Sequence, residues 1–73
     1  MPFTGLVMLP QEMEVVQDVF NAVVREPWFL RTTSNDKEFA EFVLRAYRAG
    51  ITDRDHLLIY CHEAAVLRFS RHP

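Results

Sequence analysis

The residues with the most chemical potential lie near the C-terminal end, in the stretch "DRDHLLIYCHEA". It holds Asp53, Asp55, His56, Cys61, His62 and Glu63. Three chemistries are open to such a set: a thiolate nucleophile with a histidine base, a metal site, and paired acid and base groups. Each demands that the side chains converge. In a helix, neighbouring residues point about 100° apart, so Cys61, His62 and Glu63 diverge. A reactive cysteine also needs an electropositive setting and an adjacent base. Cys61 instead shares a helix face with Leu57, Ala64 and Ala65, and it is expected to act as a small buried hydrophobe. A helical metal pair needs ligands three or four residues apart, and Asp53 with His56 is the one such pair that includes a histidine. That falls short of a carboxylate-bundle site and of any zinc ligand set. With glycine only at positions 5 and 50, no Gly-rich phosphate loop is available. The acidic pairs Glu14/Asp18 and Glu38/Glu41 belong to solvated faces. No catalytic or metal-ligating residue and no cofactor is therefore assigned.

A nucleic-acid reading has a better outline. "FAEFVLRAYRAGITDRDHLLIYC" is a helix, a turn containing glycine, and a second helix, the plan of a helix-turn-helix. Ala46 supplies the small residue four positions before Gly50. Six positions after the glycine, where a buried apolar residue belongs, stands His56. The would-be recognition helix opens with Asp53 and Asp55, the wrong sign for phosphate, and Arg54 is the single candidate nucleic-acid contact. The net charge is −2, with eight Lys and Arg against ten Asp and Glu, so a basic excess is lacking. A helix-turn-helix DNA-binding regulator is kept as the alternative function. A small enzyme or metal-binding protein stands further back.

Composition bounds the remaining classes. The 73 residues make one domain, and 49% of them are hydrophobic, six being phenylalanine. A lone cysteine precludes an internal disulfide. "MPFTGLVMLP" lacks the basic region of a signal peptide, and no run approaches the ~20 apolar residues that span a bilayer. No polybasic cluster suggests a membrane surface. These features lead us to expect a soluble, cytoplasmic protein without a membrane partner.

The elements that must position these residues are helical. The expected fold is all-α: a compact three-helix domain with helices at about 10–26, 35–49 and 53–70, and an extended N-terminal arm over residues 1–9. In the first helix, Val15, Val16, Val19, Phe20, Val23 and Val24 recur at i, i+3, i+4 spacing. Pro10 suits its first turn, Met8 and Met13 are placed to form a hydrophobic staple, and Pro27 ends it. In the second, Phe39, Phe42, Val43, Ala46 and Tyr47 form the apolar stripe. Asn35 and Glu38 read as a capping box and Gly50 as the residue past the end. Thr52 is the expected cap of the third. Trp28, Phe29 and Leu30, in the first connection, are expected to fold back under the helices as a plug.

The third helix is apolar nearly all round, with Leu57, Leu58, Tyr60, Cys61, Ala64, Ala65 and Leu67 on a broad inner face. Ile59 and Val66 fall on nearly the opposite side. A helix of this kind is central in its domain or shared with a partner. The expected interaction surface is Ile59, His62, Val66 and Phe69, in contact with a second copy or another protein. A histidine in such a seam, at His62, would make association sensitive to pH. The function expected from the sequence is thus a protein–protein interaction module or homodimer without catalytic activity.

Overall fold

The computed structural model describes residues 9–71. Within them the chain forms α1 (Pro10–Val24), α2 (Thr33–Arg48) and α3 (Arg54–Phe69), and each helix packs against the other two. The all-α three-helix architecture expected from the periodicity is the one observed. Residues 1–8 of the expected arm lie outside the described residues, and so does the Met8–Met13 staple.

Each helix end has a local cause, and several differ from expectation. Pro10 occupies the start of α1, and the Glu12 carboxylate accepts a hydrogen bond from the Leu9 amide at 3.0 Å. The helix stops at Val24 instead of residue 26, because Glu26-Pro27-Trp28-Phe29 closes a turn. Its bond runs from the Phe29 amide to the Glu26 carbonyl at 3.0 Å, with proline at the position where its fixed φ fits.

The cap of α2 is Thr32, not Asn35. Thr32 Oγ1 accepts from the Asn35 amide at 3.0 Å, so the helix begins two residues early. Asn35 uses its side chain to donate to the Leu30 carbonyl at 2.9 Å. Arg31 locks the same turn with a forked contact, Nε to Asp36 Oδ1 at 3.0 Å and Nη2 to Asp36 Oδ2 at 2.9 Å. This acceptor also raises the Arg31 pKa further. In "RTTSND" several residues are capable of capping, and the bonds back to residues 30 and 31 select Thr32.

The C-terminus of α2 closes as expected at glycine. The Gly50 amide bonds the Tyr47 carbonyl at 3.1 Å and the Ile51 amide bonds the Ala46 carbonyl at 3.2 Å, the paired bonds of a Schellman motif. Gly50 has φ of 119°, a conformation that a side chain strains even though no neighbouring atom crowds the position. Three residues on, Asp53 caps α3 by accepting from the His56 amide at 3.1 Å, so the cap lies one position beyond Thr52.

The core is a layer of valines from α1 (Val16, Val19, Val23, Val24) set against Phe39, Val43 and Ala46 of α2 and Leu57, Cys61, Ala65 and Phe69 of α3. Phe29 enters it from the first connection. Its ring centroid lies 5.5 Å from that of Phe39 and 5.7 Å from that of Phe69, and Phe39 and Phe69 are 6.0 Å apart. Backbone bonds hold the connection there: the Leu30 amide donates to the Phe69 carbonyl at 2.8 Å, and the Arg71 amide to the Trp28 carbonyl at 2.7 Å. The plug expectation thus holds for Phe29 and partly for Trp28, whereas Leu30 is exposed.

Phe29→Ala should therefore cost about 3–5 kcal/mol, a large part of the roughly 4–10 kcal/mol available to a domain of this length. Leu30→Ala should cost less than about 1 kcal/mol, and urea denaturation monitored by circular dichroism separates the two. Gly50→Ala, with no clash to relieve, should lose about 1–2 kcal/mol on conformational grounds alone.

Candidate interaction face on α3

Helix α3 turns one row inward. Leu57, Cys61, Ala65 and Phe69, each four residues from the next, are buried. Four residues advance about 4 × 100°, a full turn plus about 40°, so the row winds slowly and carries Phe69 with it. Phe69 is accordingly 5% exposed and belongs to the aromatic core, which removes it from the expected interaction surface. His62 is half-buried, its imidazole edge-on to the Trp28 ring with centroids 5.1 Å apart. It helps seat the first connection and sits at the margin of the open face.

The outward side of α3 is apolar. Ile59 is 59% exposed and Val66 40%, as expected, and they are joined by Tyr60 at 48% and Leu67 at 82%. Tyr60 and Leu67 depart from the inner face expected of them: the buried row is centred on Leu57, Cys61, Ala65 and Phe69, and both residues fall more than about 90° from that centre around the helix. Tyr60 is held by α2, its ring stacked on Phe42 at 5.5 Å between centroids. Arg68 spans the neighbouring groove with its guanidinium 6.0 Å from the Phe42 ring centre and 5.5 Å from that of Phe69. His56 and Glu63, both exposed, run down the middle of the apolar side.

Beside this face lies an open recess of about 480 Å³. Its walls are the corner Gly50–Ile51–Thr52–Asp53 and the side chains of His56, Ile59, Tyr60 and Glu63. A second, shallower hollow of about 420 Å³ is framed by His62, Glu63, Val66 and Leu67. Protrusion and recess thus occur at opposite ends of one helix face.

The groups singled out for chemistry do not converge. Cys61 is buried on the inner row, and burial pushes its thiol up to about 12. Asp53 spends a carboxylate oxygen on the helix cap. Arg54, the nucleic-acid candidate, pairs with Asp18 of α1 at 2.7 Å. Among the described residues no three of His, Cys, Asp and Glu are grouped to share an ion, and no polar or charged side chain is buried. No helix there is long and apolar enough to cross a membrane. No family model matches this sequence, and no curated protein or solved structure matches it either.

The Cys61 environment has a measurable consequence. Above the ordinary thiol pKa of 9.0 the unfolded chain loses this proton, while the folded chain keeps it up to about 12. Stability should therefore fall with rising pH through that window, by at most about 1.4 kcal/mol per pH unit from this group. Chemical denaturation between pH 8.5 and 11 should show the slope, and Cys61→Ala should reduce it. A thiol reagent at pH 8 should label the protein only as fast as it unfolds.

Proposed function

We propose that the protein is a protein–protein interaction module with no chemistry of its own, and that the outward face of α3 is its docking surface. The observation that carries this reading is the row Ile59, Tyr60, Val66 and Leu67. These four large apolar side chains lie solvent-exposed on one rigid helix whose other side is locked into the core. Large exposed apolar side chains gathered on one side of a small body mark a binding surface, and here His56 and Glu63 run between them as the polar groups such a contact needs to be specific. The solvated titratable groups and the protonated thiol of Cys61 support a non-catalytic role. An intracellular, soluble protein is the setting in which such a module fits its single unpaired cysteine.

The alternative of a helix-turn-helix regulator rests on the α2–Gly50–α3 outline. The Arg54–Asp18 pair weakens it by tying up the cation that would meet phosphate.

The docking reading is tested by Ile59→Glu and Leu67→Glu, made singly and together. At concentrations low enough for the wild type to be monomeric, these changes should leave its melting temperature within about 2 °C, since exposed positions contribute little to the fold. They should also abolish the concentration-dependent broadening of amide resonances along residues 59–67. A fall of about 10 °C in the monomer would show that the face is covered by the chain itself, and the reading would be lost.

A further inference from the structure

We propose that the occupant of this face is a second copy of the same chain, packed with its α3 antiparallel to the first in one defined register. The proposal rests on the docking role of α3 and specifies the partner. A twofold interface must be self-complementary: whatever residue i touches on residue j, j touches on i. Three features of the α3 face meet that condition at once.

The first is charge. Glu63 is the one acid in the centre of the apolar strip, and His56 lies one heptad before it, only about 20° away around the helix. With the dyad beside Ile59 and Tyr60, each Glu63 faces His56 of the second copy, twice per dimer. Sliding the helices so that Glu63 lies on the dyad would set the two carboxylates against each other. Centring on His56 would oppose the two imidazoles and leave Leu67 beyond the contact. An intermediate slide would bury Glu63 against Ile59 and Tyr60 with no imidazole to pair its charge. Electrostatic complementarity thus selects one register.

The second is shape. In that register Leu67, the most exposed large hydrophobic side chain among the described residues, falls opposite Thr52 of the second copy. The recess of about 480 Å³ opens there, between the Gly50–Asp53 corner and the side chains of His56 and Tyr60. The knob and the hole are carried by the same chain at mirrored positions, so both form twice.

The third is the composition of the middle. Ile59 and Tyr60 flank the dyad and meet their own copies, which places the two half-exposed apolar residues at the centre of the contact, where water is excluded.

The experiment is disulfide trapping with two variants, His56→Cys and Glu63→Cys, keeping Cys61 as the buried thiol. Mixed and gently oxidised, they should give chiefly the mixed dimer, detected by mass, at least fivefold over either variant linked to itself. The mixed species also keeps one native His56–Glu63 pair, which each self-dimer lacks. In parallel, wild-type light scattering should report a dimer at high concentration, and Leu67→Glu should raise its dissociation constant at least tenfold. Self-linked products dominating the mixture would overturn the antiparallel register while leaving α3 as the docking face. A wild-type monomer at millimolar concentration would overturn the second copy as occupant. The docking role itself is then decided by the melting temperatures of Ile59→Glu and Leu67→Glu.

Discussion

The structure depends on the placement of Phe29. A residue from a connection, not from a helix, occupies the space between α2 and α3, and its ring closes a triangle with Phe39 and Phe69. The constraint behind this is size. Three short helices with valine on one of them enclose too little volume for a dry core, because valine is small and β-branched and reaches only a short way from the backbone. A large ring delivered from outside the helices fills the remaining gap, and Phe29 is 1% exposed. Pro27 turns the chain at the right point for it, and the two backbone bonds to Phe69 and Arg71 hold the connection against α3.

Once Phe29 and Phe69 are joined, the rotation of α3 follows. The inner row is set by its aromatic end, and the remaining apolar residues of a helix rich in them face solvent. The surplus apolar surface on α3 is therefore a direct outcome of how the core is filled. It accounts for a helix that sets Leu57, Cys61, Ala65 and Phe69 into the core and leaves Ile59, Tyr60, Val66 and Leu67 exposed. Charge adds a second layer. Asp53, Glu63 and His56 lie along the open side, while Arg54 is drawn to Asp18 of α1.

Much of this was legible in the sequence, for identifiable reasons. Helix number and kind follow from apolar spacing, and the Gly50 turn from the demand for positive φ. The burial of Cys61 follows from its place between Leu57 and Ala65. What the sequence concealed was selection among equivalents. Thr32, Thr33, Ser34 and Asn35 all have capping side chains, and the Asn35–Leu30 and Arg31–Asp36 bonds, each between residues five apart, chose the first. Thr52 and Asp53 posed the same choice. The exposed apolar side of α3 was half visible: Ile59 and Val66 stand out from a periodic count. Phe69, Tyr60 and Leu67 depend on where the helix is clamped, which is a long-range contact with Phe29 and leaves no local mark.

The bond from the Leu30 amide to the Phe69 carbonyl, described above as an anchor for the connection, also governs how the molecule opens. The last turn of a helix normally frays on its own at little cost, leaving the rest undisturbed. Here unwinding the end of α3 withdraws Phe69 and releases the strand-like partner of Phe29 in the same event, so two of the three rings lose their support together. The part of the chain that should be loosest is thereby tied to the part that is tightest, and the domain is left with no peripheral turn at that end to sacrifice. Cooperativity in this protein is enforced at a helix terminus.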